Sequence, residues 1–331
     1  LAAVAVHIHA LILYRAVPFT GRRHPLLFVS VPIGVLSIIM TVPDQIPPSV
    51  KHPDVVIFYT PAFSKEELDI TDFSKLETVF ERIKPNFVIN CSAYTAVDDC
   101  ETNKELAFKL NGQAACEIAK ACKKVGAILV HFSTEDVFDG QKSEGYKEDD
   151  IPCPINVYGE SKLNGEQLIT QELDQYYIVR SSWLFGLNGK NFVDTMIKLA
   201  KEMKELKVVC DQIGCPTYTK DLCEAVIENF LDPCVADLPR QHELNLPERK
   251  KSKIKLAFGI YHITNFGNGS WFEFAKKIFE LAKIDIKVEE VSSLQFKRPA
   301  KRPNYSILLN TKTKALRSWQ EALKAYLDIA I

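Results

Sequence analysis

The sequence predicts an α/β protein: a Rossmann-like doubly wound parallel sheet with a smaller C-terminal α/β substrate lobe. Three observations carry that reading. Short apolar runs of strand type recur from about residue 54, helical stretches separate them, and the rhythm loosens after about residue 180. Strands alternating with helices are the pattern of a parallel sheet whose crossovers cover both faces. A chain of 331 residues suits one large domain or two smaller ones.

Residues 1–53 form an atypical hydrophobic segment, a degenerate first βα unit or foreign sequence, in front of a core expected over 54–180. In that core "DVVIFY" (54–59), "FVIN" (87–90), "AILVHF" (127–132) and "YYIVR" (176–180) are the strands. The stretch 104–126 has helical periodicity and stops at Gly126. Beyond 181 lies the substrate lobe (181–331), with some segments returning to the core. Its helices are "FVDTMIKLAKEM", "KDLCEAVIENFL" and "SWFEFAKKIFELA", and its strands "LKVV" and "GIYHIT". Ser270 and Glu273 have capping-box spacing at the start of the last helix. Residues 233–257 hold the longest polar stretch, a solvated surface insertion.

Composition excludes several classes. With 47% hydrophobic and 25% charged residues the chain is of ordinary globular type. A net charge of -1 argues against broad nucleic-acid or anionic-membrane binding. The nine cysteines include no C-x-x-C pair, so neither a zinc site nor a disulfide framework is expected, and no metal. A reducing, cytoplasmic setting follows.

The chemistry concentrates in "YGESK", where Tyr158 and Lys162 share one face of a starting helix. An ammonium beside a phenol lowers its pKa, and such a tyrosine can pass a proton to a carbonyl oxygen. Alone, the spacing occurs on many surface helices. Ser133 and Thr134 stand directly after a strand, where a parallel sheet opens its ligand crevice. A hydroxyl there can orient the oxygen that Tyr158 protonates, although Ser and Thr also favour plain turns. "NCSAYTAVDDCE" follows the strand before it with small residues that let a flat cofactor approach the backbone.

Taken together, "LDITD", "NCSAYTAVDDCE", "STEDVFDG", "PINVYGESKLNGE", "RSSWLFG", "GKNFVDTM", "DQIGCPTYTKDL", "SWFEFA" and "RPAKRPNYS" keep one order from about residue 54 to the C-terminus. This set resembles the dTDP-4-dehydrorhamnose reductases of the extended short-chain dehydrogenase/reductase superfamily. The resemblance implies NADPH, with NADH as the other choice, reducing the C4 ketone of dTDP-4-dehydro-L-rhamnose to dTDP-L-rhamnose. It makes Tyr158 the proton donor, Lys162 its tuner and ribose clamp, and Thr134 the polariser of the C4 oxygen. Asp69, Ile70, Ala93, Tyr94 and Thr95 would line the adenosine half of the cofactor, and Asn111 would hold the site's geometry. Glu135 and Trp183 would touch the sugar nucleotide; Arg298, Lys301 and Arg302 form a basic cluster suited to its diphosphate. For the cluster, a solvated charged loop is an equal reading. The dTDP-sugar is the expected partner, nucleic acid is not, membrane attachment is disfavoured, and a homodimer is the assembly left open.

Two departures stand against this pattern. The family has aspartate then tyrosine after Ser-Thr, whereas this chain has Glu135 then Asp136, which damages substrate fit more than proton chemistry. The phosphate loop, G-x-x-G-x-x-G after the first strand, has only "VSVPIGVLS" at 29–37 to match it. There Gly34 meets the middle glycine, Val31 and Ser37 stand at the outer two, and Pro32 removes an amide donor. Pro43, Pro47 and Pro48 then deny the helix that should follow. The segment reads as foreign sequence, as a degenerate native loop, or, from the uncharged run 25–43 behind Arg22 and Arg23, as a membrane anchor. Thr60 is the nearest candidate for reading the 2′ position of the cofactor. A chain unable to hold NADPH, and a non-catalytic subunit resembling the regulatory β subunit of methionine adenosyltransferase, are the competing functional readings.

Overall fold

The computed structural model describes residues 62–231 and 256–330, together with the backbone of four strands at 12–16, 27–29, 36–41 and 55–57. Gly34, Val31, Pro32, the prolines at 43, 47 and 48, Thr60 and nearly all of the polar insertion lie outside the described residues.

In chain order, β1 (Ile12–Ala16), β2 (Leu27–Val29), β3 (Leu36–Thr41), β4 (Val55–Ile57) and β5 (Ala62–Ser64) precede α1 (Phe73–Ile83). Then come β6 (Phe87–Asn90), α2 (Val97–Cys100), α3 (Lys104–Ala107), a π-helical turn at Phe108–Gln113, α4 (Ala114–Val125) and β7 (Ile128–Thr134). Helix α5 (Val157–Glu172) leads to β8 (Tyr176–Ser181) and β9 (Leu184–Phe185). The remainder is α6 (Phe192–Glu202), β10 (Glu205–Val209), β11 (Ile213–Gly214), β12 (Thr217–Tyr218), α7 (Thr219–Val226), β13 (Gly259–His262), β14 (Gly269–Ser270), α8 (Trp271–Ala282), β15 (Lys287–Val291) and α9 (Trp319–Ala330).

The main sheet has six strands in the order β13-β8-β7-β6-β3-β5, and β6, β7, β8 and β13 run parallel. Alternate residues of these strands go to opposite faces, as the pleat requires. Val88, Leu129 and Ile178 pack under α1, α4 and α5 with Leu76, Phe80, Ile118 and Ile169. Phe87, Val130, Tyr177 and Val179 pack on the other face with Leu222, Val226 and Phe230. Burying both faces is why these strands carry apolar runs without alternation.

Two expectations are corrected. "DVVIFY" does contain a strand, but β4 pairs antiparallel with β1 in a separate three-stranded sheet. The place beside β6 belongs to β3, which runs antiparallel to both β6 and β5, so the sheet is parallel over four strands and not throughout. A parallel neighbour needs a long, usually helical crossover, and prolines at 43, 47 and 48 oppose one. Ser37, placed at the last glycine of the phosphate loop, is part of β3 itself.

Local signals in the rest of the chain behave as expected. Gly126 ends α4 with φ 73°, a left-handed conformation natural to glycine. Ser270 and Glu273 form the full capping box of α8. The helix expected over 104–126 is interrupted by the π turn, which presents Asn111 sideways into the structure. A second apolar cluster joins α6, α8 and α9 through Val193, Phe274, Ile278, Leu323 and Tyr326, beside the parallel pair β10 and β15. Helix α7 and strand β13 pack on the main sheet instead.

Candidate active site

Strands β6, β7 and β8 end at one edge of the sheet, and a cavity of about 320 Å³ opens there. Its wall includes Thr95, Ser133, Thr134, Glu135, Asp136 and Tyr158. Trp183, Arg298 and Arg302 also line it, so most of the expected substrate side converges on one space. Lys162, Asp69, Ile70, Ala93, Tyr94 and Lys301 are not among its described lining residues.

Thr134 is the last residue of β7, with extended backbone that turns at once into a short 3-10 turn over Glu135–Val137. Its hydroxyl accepts from the Asp136 amide at 3.2 Å and donates to Glu135 Oε2 at 2.8 Å. Asn156 caps α5, accepting from the Gly159 amide at 2.7 Å, and donates to Asp136 Oδ1 at 3.2 Å. That cap fixes the first turn of α5 against the end of β7, so Tyr158 and Thr134 line the same cavity wall, with Thr134 acting on the phenol. A side chain at 159 would meet the Asp136 carbonyl at 2.1 Å, so only glycine lets the helix come this close.

The electrostatics differ from the expected pattern. Tyr158 is buried, and its pKa is raised by that burial, then by the Asp136 and Glu135 carboxyls, with Thr134 opposing. Glu135 is raised by burial and by Asp136, and Asp136 by burial, with Arg302 opposing. The expected lowering by Lys162 is therefore corrected: the lysine faces the sheet. Its Nζ donates to the Phe132 carbonyl at 2.6 Å and lies 3.2 Å from His131 Nε2, and the side chain is 1% exposed. Burial pulls its pKa down to about 8, with Glu166 one turn further along the helix opposing.

Asn111 holds the loop after β6. It accepts from the Tyr94 amide at 2.7 Å, donates to the Tyr94 carbonyl at 3.1 Å and donates to Ser161 on α5 at 2.9 Å. Residues 93–95 are thereby fixed against the helix that carries Tyr158. Asp69 bonds the Thr71 amide and hydroxyl, both at 2.8 Å, which holds its carboxyl below the usual range. Ile70 is buried beside it in the sheet core.

The basic cluster has a counter-charge that its spacing does not reveal. Asp98 on α2 accepts from Arg302 at 3.1 Å, from Arg298 at 3.3 Å and from the Ala300 amide at 3.3 Å. The Lys301 carbonyl accepts from Asn156 at 2.9 Å, so the loop is tied to the start of α5 as well. On the opposite wall Trp183, at φ 44°, stacks on Trp271 with ring centroids 3.6 Å apart. A side chain at Gly214 would sit 2.4 Å from the Trp183 ring. Among the described residues no cluster of three or more His, Cys, Asp or Glu could hold a metal ion, and no helix is long and apolar enough to cross a membrane.

An α/β sheet with four parallel strands, a tyrosine and a threonine at its strand ends, and a lysine one turn further along the tyrosine's helix is the arrangement of an oxidoreductase of the short-chain dehydrogenase/reductase class. The chain belongs to the family described as RmlD substrate binding domain, whose model matches residues 57–331. It is 38% identical to the spore coat polysaccharide biosynthesis protein SpsK of Bacillus subtilis, covering 81% of this chain and 87% of that one. It is 35% identical to the dTDP-4-dehydrorhamnose reductase of Burkholderia thailandensis over 76% of this chain and 82% of that one. Among solved structures it resembles the dTDP-4-dehydrorhamnose reductase of Bacillus anthracis in complex with NADP. The TM-score is 0.72 and the identity 39%, over 86% of this chain and 92% of that one.

Proposed function

We propose that this chain uses NADPH to reduce the C4 ketone of dTDP-4-dehydro-L-rhamnose, giving dTDP-L-rhamnose. The observation that carries the proposal is the Tyr158–Thr134 hydroxyl pair at the mouth of the strand-end cavity, in a chain of this family. The described residues fit a dinucleotide at that end. Ser133 Oγ is a buried hydroxyl in the cavity wall without a hydrogen-bond partner, Thr95 lines the same cavity, and Asn111 fixes the backbone of the preceding Tyr94. When bound, NADPH supplies the hydride.

Tyr158 and Thr134 hold the ketone oxygen between two hydroxyls, and Tyr158 donates its phenolic proton to that oxygen. Burial keeps this phenol protonated at neutral pH, as a general acid must be. Lys162 would hold the ribose of the bound dinucleotide, and residues 69–70 and 93–95 would hold its adenosine half. Arg298 and Arg302 offer forked donors to the diphosphate, exchanging part of their bond to Asp98 for it. Trp183, Glu135 and the neighbouring wall enclose the sugar. The described cysteines form no disulfide with one another, which supports a reducing compartment, and we place the protein in the cytoplasm. The division at residues 54 and 181 is retained as part of the same proposal.

The test is to incubate the protein with dTDP-4-dehydro-L-rhamnose and NADPH and to follow cofactor oxidation and product together. One dTDP-L-rhamnose formed per NADPH oxidised is expected. A protein that binds NADPH yet leaves the ketone untouched would refute the reading.

A further inference from the structure

Hydrogen-bond parity behind the active site has a consequence for Lys162. Asn90, at the end of β6, accepts from the Ser92 backbone amide at 3.0 Å and from the Ser92 hydroxyl at 2.7 Å, both at Oδ1. A backbone amide can only donate, so the orientation of the Asn90 side-chain amide is fixed. Its Nδ2 therefore points at His131 Nδ1, 3.0 Å away, and donates to it. A neutral imidazole with Nδ1 accepting carries its proton on Nε2. That proton faces Lys162 Nζ at 3.2 Å. An ammonium has no lone pair to accept it, whereas a neutral amine accepts from His131 and donates to the Phe132 carbonyl at 2.6 Å. Asn90, His131 and Lys162, the three side chains at the centre of these bonds, are each 2% exposed or less. A buried donor–donor clash has no water to relieve it.

We propose that His131 is a positioning residue that favours Lys162 as a neutral amine turned into the sheet, so that the neutral fraction, small at neutral pH and dominant in alkaline solution, takes up a proton and swings outward when the dinucleotide binds. The inference rests on the reductase reading for its second half only. It accounts for the absence of Lys162 from the described cavity wall. Burial lowers the lysine to about 8 and keeps His131 well below its ordinary range, in agreement with the bonding pattern.

The other ionisable groups around the niche are few. On α5, Tyr158 and Glu166 lie one turn to either side, and Glu166 is committed to Arg180 of β8 through bonds of 2.6 and 2.9 Å. On β7 the neighbours are His131 and the Phe132 carbonyl, on β6 the uncharged Asn90, and on the π turn the uncharged Asn111. Glu135 and Asp136 act on Tyr158 from the far side. Lys162 and Glu135, whose carboxyl burial raises to about 8, are thus the groups of this set that change charge near pH 8, and the Asn90→Asp variant, which acts on His131 and leaves Glu135 in place, separates the lysine's part from the carboxyl's.

Two readouts test this. In the protein without dinucleotide, nitrogen NMR of His131 should give the neutral Nε2–H tautomer, and Lys162 Nζ should titrate near 8. An Nδ1–H tautomer, or a lysine still charged at pH 10, would overturn the proposal whatever the protein catalyses. Calorimetry of NADP binding in buffers of different ionisation enthalpy should show uptake of about 0.1 proton at pH 7 and about 0.9 at pH 9, for a lysine titrating near 8. Affinity should accordingly fall about tenfold per pH unit above pH 8, because the form that binds carries the proton. Asn90→Asp gives His131 Nδ1 an acceptor, reverses the tautomer and leaves the lysine charged, so uptake at pH 9 should vanish. Undiminished uptake in that variant would contradict the role of His131.

Discussion

Tyr158 and Lys162 begin from the same face of one helix turn and end in opposite environments. Tyr158 turns toward the strand ends, meets Thr134 and borders open space. Lys162, one turn deeper, meets the Phe132 carbonyl and His131 inside the sheet. The difference teaches that i and i+4 spacing fixes a common face but not a common partner. A long lysine stem lets its amine choose between two niches, whereas the short phenol reach is set by the backbone.

The comparison breaks most visibly at Tyr158. Replacing it with phenylalanine should lower kcat by about 10²–10⁴-fold, the usual contribution of a general acid, with NADPH affinity unchanged in fluorescence titration. Thr134→Val should reduce kcat/KM by about 10–100-fold, the worth of one hydrogen bond to developing charge, as measured by steady-state kinetics. Asp98→Asn tests the outer wall. It frees Arg298 and Arg302 from their shared anchor, and about 1 kcal/mol of positioning corresponds to a KM for the dTDP-sugar raised about fivefold at nearly constant kcat.

The smallest effect concerns stability. Glu135 holds its proton more tightly folded than unfolded, because its folded pKa lies above the ordinary 4.5. Its stabilising contribution is therefore complete below pH 4.5 and is lost as pH rises through the raised folded value. Glu135→Gln should remove this slope, so that the variant gains on the parent as pH rises toward 8 when thermal unfolding is followed across pH.

Much of the fold was legible because burial writes itself into the chain. Phe87–Asn90, Ile128–Thr134 and Tyr176–Ser181 fall on the apolar runs that announce them, and Gly126 and Ser270 mark a helix end and a helix start. The strand within "DVVIFY" was equally legible, but its partner was not, since an apolar run does not say which edge it joins. Strand β3 was missed for the same reason, its neighbour at β6 being decided by pairing across more than forty residues. At the site, sequence placed Tyr158, Thr134, Glu135, Trp183 and Arg302 around one cavity. It did not place Asp98 against the arginines or His131 against Lys162, because those contacts join segments distant in sequence and no local pattern encodes them. The π turn at Asn111 left no sign either, being a one-residue change in a helix of ordinary composition.

The most direct test measures kcat and the NADPH Kd on matched preparations of the parent, Tyr158→Phe and Lys162→Met. The account predicts that Tyr158→Phe loses turnover with Kd held within about twofold, while Lys162→Met raises Kd about tenfold or more through the lost ribose contact. Turnover retained in Tyr158→Phe, with reduction of the ketone intact, would contradict the assignment of this tyrosine as the proton donor.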